Sequence, residues 1–251
     1  MAMKTYPNGV IGPELERCDI VTFDLKDAVL QFCLPESSEH YVCRLATQES
    51  IVNWQSVIDV KSLVKNWWDF NARDQNGEWN VGSVLLDIKL VNLDKDDLET
   101  LLNAQPYSLL KQQDLSRLAI DFFIKSAVDI SRVNNPDIST EEALKEFRIF
   151  TKPEDLLISK HDSLPWFTNK RNQFESSSRW VCQTFIPVTE RAFLLLHFDF
   201  TPQTSNNRPF FFSMEEGQAF GDMLRDEFLS YVKITYSPEI QAKIKSYAQQ
   251  P

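Results

Sequence analysis

The stretch RWVCQTFIPVTERAFLLLHFDFTPQ, residues 179–203, followed by SMEEGQAFGDMLRDEFLSYVKITY, residues 213–236, decides how this chain folds. Pro187 to Arg191 separates two β-rich runs, which predicts a strand–turn–strand unit. In the second run Leu194, Leu196, Phe198 and Phe200 share one side, and Phe193, Leu195, His197 and Asp199 share the other. The first side is wholly apolar, and the second turns polar toward its end. Next, Phe220, Met223, Leu224, Phe228, Tyr231 and Val232 recur at helical spacing. A helix there lays its apolar stripe on the Leu/Phe side of the hairpin.

Working outward, residues 1–17 read as an irregular arm. Val21, Phe23 and Leu25, then Ala28, Leu30, Phe32 and Leu34, alternate on either side of a tight Lys26-Asp27 connection, and Tyr41 to Leu45 makes a third strand. Over 53–71 the pattern changes: Val57, Val60, Val64, Trp67 and Trp68 fall on one helical stripe. Asp74-Gln75-Asn76-Gly77 is a turn into a long strand over 79–93. Asp94 caps a short helix that Pro106 ends, and a longer helix covers 109–133. Ser139 with Glu142 is a capping box for one more helix through Phe147, while 150–178 is the least regular region.

The expected architecture is α+β, with mixed or antiparallel sheets covered by helices. Two similar units are expected, 18–136 and 137–251, because Trp79 and Trp180 each open a strand region followed by a capped helix.

Hydrophobic residues make up 43% of the 251 positions, enough for a sizeable core. Only 6 glycines are present, which disfavours phosphate-cradling loops. A formal net charge of −10 argues against nucleic acid and suits a basic protein partner. Neither a signal peptide nor a run long enough to span a membrane is visible, so a cytoplasmic protein is expected, or a periplasmic one if a leader has been removed. Cys18, Cys33, Cys43 and Cys182 lack metal-like spacing and read as free, buried thiols.

Nucleotide-binding, hydrolase and zinc-protease motifs are absent, and the 3 histidines, His40, His161 and His197, leave little scope for a metal site. No cofactor is expected. The acids at 94–99 and at Glu215-Glu216 lie at helix starts, where the helix dipole favours them. The one arrangement with reactive potential is Cys182, His197 and Asp199, as in a small Cys/His-dependent hydrolase or transferase. No signature residues surround Cys182, and a non-enzymatic protein is the preferred reading.

The second half resembles immunity proteins of the bacterial type VI secretion system. The resembling residues are Arg179-Trp180, Phe185 to Thr189, Phe193 to Phe200, and Ile234 to Gln241. The resemblance implies an α+β protein that occludes a cognate toxin, with no catalytic residues to carry over. A structural adaptor would show the same features. Partner contacts are expected on polar loops bearing aromatics and acids: Trp166, Phe167 and Asn169 in one, and Trp68, Asp69, Asp74, Glu78 and Trp79 in the other. The competing reading has Trp166 and Phe167 pinning an irregular loop to the core.

Overall fold

The computed structural model describes residues 2–39, 43–48, 59–93, 108–147, 150–161, 164–172, 180–203 and 211–249. The strands begin with β1 (Met3–Thr5), β2 (Ile11–Pro13), β3 (Asp19–Asp24), β4 (Ala28–Leu34), β5 (Arg44–Leu45), β6 (Asp59–Asp74) and β7 (Gly77–Asn92). Helices α1 (Gln112–Asn134) and α2 (Thr140–Phe147) come next. Then follow β8 (Leu157–His161), β9 (Leu164–Asn172), β10 (Trp180–Pro187) and β11 (Ala192–Pro202). Helix α3 (Met214–Ser230), β12 (Lys233–Tyr236) and α4 (Pro238–Ala248) complete the series.

The fold is α+β. A large antiparallel sheet runs β1-β2-β6-β7-β11-β10-β9-β8, with β5 also on β6, and a small one runs β12-β4-β3. The 179–203 stretch is the hairpin β10–β11, paired from Trp180↔Phe200 to Pro187↔Phe193. Its Leu/Phe side faces α3, where Phe228 meets Phe198 and Phe220 meets Phe200 at ring separations of 5.3 Å each. A capping box starts α3: Ser213 Oγ accepts the Glu216 N–H, and the Glu216 side chain accepts the Ser213 N–H. Phe23, Leu30 and Phe32 of the small sheet, with Ile240 and Ile244 of α4, join the same core.

Opposite, Phe167, Phe185, Phe193 and Leu195 pack against Leu115, Leu118 and Ala119 of α1. Helix α2 carries the expected box, the Ser139 hydroxyl accepting the Glu142 N–H at 3.3 Å. The β6–β7 turn is also as expected: Asp74 accepts the Asn76 N–H at 2.7 Å, and Gly77 takes φ +114, where a Cβ is strained.

Several expectations change. Residues 59–71 are strand, not helix, with Val64, Asn66, Trp68, Phe70 and Ala72 alternately buried. A register shift between Ser62 and Val64 makes Leu63 and Val64 both buried, which disguises the period of two. Asn66 interrupts the apolar row, yet it belongs inside because its Nδ2 donates to Pro35 O at 2.8 Å. The expected helix residues 53–58 and the helix capped by Asp94 lie outside the described residues.

The 150–178 region carries β8 and β9. Strand β9 shows no alternation because both sides are covered: Trp166, Phe167, Thr168 and Asn169 are all buried. The N-terminal arm carries β1 and β2 at the sheet edge, with Tyr6, Val10 and Leu15 buried and Tyr6 Oη donating to Pro13 O at 2.7 Å.

The large sheet does not divide where two units were expected to meet. Strand β7, from before residue 136, pairs with β11, from after it, continuously from Ala192↔Asn92 to Pro202↔Gly82. The C-terminal β12 likewise pairs with β4. Finally, Cys18 and Cys33 form a disulfide with Cα atoms 5.5 Å apart, so they are not free thiols. Cys43 is free but exposed, and only Cys182 matches the expectation of a buried free thiol.

Candidate functional site

A cavity of about 910 Å³ opens where the start of α1, the β8–β9 edge and the end of α4 converge. Backbone bonds hold the approach to α1 against the β10–β11 turn, Leu109 N–H donating to Glu190 O at 3.0 Å. The Asp114 carboxylate turns back to accept the Ser108 N–H at 2.8 Å, fixing the segment that leads into the helix. At the far wall, Tyr247 Oη and Lys243 Nζ donate to the two oxygens of Glu190 at 2.7 and 3.0 Å. Those two bonds hold the Glu190 carboxyl below its usual range, and the bond to Glu190 pushes the Tyr247 phenol up.

Leu110, Ile158, Leu164 and Phe167 line the cavity together with Lys111, Asp114 and Glu154; Asp114 is buried, and Ile158 is half-exposed. Lys111 Nζ stands 5.0 Å from the centre of the Tyr247 ring, in cation–π contact. Ser116 Oγ, also on the wall, donates to Gln113 O at 3.0 Å. The lining thus mixes apolar side chains with amide, hydroxyl and charged groups, so a ligand there would meet both kinds of contact.

The residues expected to touch a partner have different places. Trp166 lies in the α3-side core and Phe167 in the α1-side core, both 1% exposed. Phe167 still reaches the cavity floor. Asn169 is a clamp rather than a contact: its Oδ1 accepts the Phe150 N–H at 3.3 Å and its Nδ2 donates to Phe150 O at 3.1 Å. Asn169→Ala is therefore expected to cost about 1–3 kcal/mol of stability by stranding both Phe150 groups, read as a lower urea midpoint.

Trp68 is buried against Phe228 at 6.3 Å, since strand alternation turns it inward. Asp69 accepts from Ser83 Oγ at 2.7 Å and Trp67 Nε1 at 2.9 Å. Asp74 shapes the hairpin turn, Glu78 pairs with Arg73 at 2.9 Å, and Trp79 packs edge-on to Phe211. This second group is thus a core residue, a carboxylate bonded across the sheet and a hairpin tip, not one patch. Leu110, Lys111, Ile158 and Tyr247 were not singled out by the sequence, because only folding brings their separate segments together.

The Cys182–His197–Asp199 arrangement is not assembled. His197 and Asp199 share a side, as expected, but Cys182 pairs with Phe198 and faces the opposite core. Burial pushes its thiol well up, although the Arg225 guanidinium beside it works the other way. Arg225 is itself buried and bonded to Asp222 and Asp226 at 2.8 and 2.7 Å. A thiol probe at neutral pH is expected to label Cys43 promptly and Cys182 only on unfolding. Fast native labelling of Cys182, read by mass spectrometry, would contradict this placement.

His197 instead belongs to a cross-strand row, Asn169–Gln183–His197–Asp87–Lys65. The Gln183 amide lies 3.2 Å from His197 Nδ1, and Asp87 pairs with Lys89 at 3.1 Å. Among the described residues no group of three or more His, Cys, Asp or Glu is placed to hold a metal ion, and no helix is long and apolar enough to cross a membrane.

No protein-family model matches the chain, and neither curated proteins nor solved structures provide a match.

Proposed function

We propose that this chain is a non-enzymatic inhibitor that binds a cognate secreted toxin, in the manner of a type VI secretion immunity protein. The observation that carries the reading is the cavity beside β8, whose lining combines apolar side chains with Lys111, Asp114 and Glu154. A surface of net charge −10 supports a basic partner. Burial of Cys182 on the side opposite His197 counts against the alternative of a Cys/His-dependent hydrolase or transferase. The proposed site of action is the cytoplasm, with the periplasm as the alternative; the Cys18–Cys33 disulfide supports that alternative, since such bonds persist in oxidising compartments. Trapping thiols in intact cells before lysis separates the two: a bonded pair there moves the protein to the periplasm.

Co-expression tests the function. A toxin encoded beside this gene is expected to kill cells alone and to be neutralised, and bound in a purified complex, when this chain is present. Absence of both protection and binding ends the proposal.

A further inference from the structure

Strand β8 ends the large sheet, and its register with β9 fixes which of its backbone groups face outward. Lys160 lies opposite Pro165, which has no N–H to donate, so this pair is not a hydrogen-bonded one. Alternation then makes Ser159↔Trp166 a bonded pair and Ile158↔Phe167 a second non-bonded one. The N–H and C=O groups of Ile158 and Lys160 therefore point away from β9. Among the described residues no strand pairs with that edge.

The Ile158 side chain, 49% exposed, lines the cavity next to the edge, together with Phe167. Of the charged groups in the cavity lining, Glu154 is acidic, Asp114 is buried and taken up by the Ser108 N–H, and Lys111 lies over the Tyr247 ring. We infer that the open edge of β8 receives an extended segment of a protein partner as an added strand, with an apolar side chain in the cavity and flanking basic side chains at its rim. The backbone groups call for an extended chain, the exposed Ile158 beside Phe167 for an apolar side chain, and the net acidity of the chain for positive charge. The inference rests on the inhibitor reading and names the kind of segment that the partner presents.

The test uses the full chain and a synthetic heptapeptide alternating lysine with valine or leucine. Binding is followed by fluorescence anisotropy, and amide exchange is read at Ile158 and Lys160. Binding tighter than about 1 mM is expected. Exchanging the lysines for glutamates, or methylating one alternate set of peptide nitrogens, should weaken it about tenfold or more. Methylating the other set should leave it unchanged, because only one set faces β8. Both amides should gain protection.

Ile158→Pro removes an outward donor that β9 does not use, so it should abolish binding and keep the fold. Ile158→Arg, at an exposed side chain, should weaken the lysine peptide even if the proline variant fails to fold. No binding, indifference to methylation of both sets, or unprotected amides would overturn the inference. So would a dimer in sedimentation that Ile158→Pro dissociates, since a second copy would then occupy the edge. A toxin bound and neutralised equally well by Ile158→Arg leaves the inhibitor reading standing and removes strand addition. Peptide binding with the stated pattern, but no toxin neutralised, does the reverse.

Discussion

Phe228→Ala is expected to destabilise the protein by about 3–5 kcal/mol, the cost of deleting a buried phenyl ring from a core that cannot collapse around the gap. Phe228 is 1% exposed and is where helix α3 touches both sheets. Its ring centre lies 5.3 Å from that of Phe198 and 6.3 Å from that of Trp68 in the large sheet, and 5.9 Å from Phe32 in the small one. Removing it therefore opens a void bounded by three elements that are each held in place by their own hydrogen-bond ladders. For a chain of this size the melting temperature should fall by roughly 6–20 °C. Phe228→Leu keeps most of the volume and should cost less than about 1.5 kcal/mol. Equal losses for the two variants would show that the ring does not bridge the layers.

The second large effect is at Gly221, where two opposing terms compete. Glycine within a helix is about 1 kcal/mol worse than alanine, so propensity alone favours replacement. A Cβ there would come within 2.5 Å of Trp180 Cδ2 and 2.7 Å of Cε3. Trp180 is 1% exposed, so its ring has nowhere to go, and overpacking of this kind typically costs about 1–3 kcal/mol. Contact is expected to win: Gly221→Ala should lower stability modestly, and Gly221→Val by at least about 3 kcal/mol, since its methyl groups press further into the indole. Chemical denaturation of both variants measures this. A stabilised alanine variant would mean that helix α3 can lift from β10 at little cost.

Gly221 also shows why close packing escapes a reading along the chain. Residue 221 lies 41 positions from Trp180, and no local pattern links them. The candidate site has the same character. Of Trp166, Phe167 and Asn169, expected to touch a partner, Phe167 lines the cavity. Trp166 and Asn169 are a core residue and a loop clamp, because β9 is covered on both sides.

What the sequence alone determined are the features set by local chemistry. They include the β3–β4 and β10–β11 hairpins, the Asp74–Gly77 turn, the capping box at Ser139, and the apolar stripe of α3. Each depends on residues a few positions apart, whose alternation, helical period or turn preference stands out because one side is wet or one φ is positive. Tertiary structure decided the rest. Strand β6 carries a bulge and a buried Asn66 whose partner, Pro35, is 31 residues away. Only the β7–β11 seam makes one large sheet of strands from both halves, and only convergence of α1, β8, β9 and α4 makes a cavity. Those outcomes rest on long-range pairing and burial on two sides, which erase the periodic signal that a sequence offers.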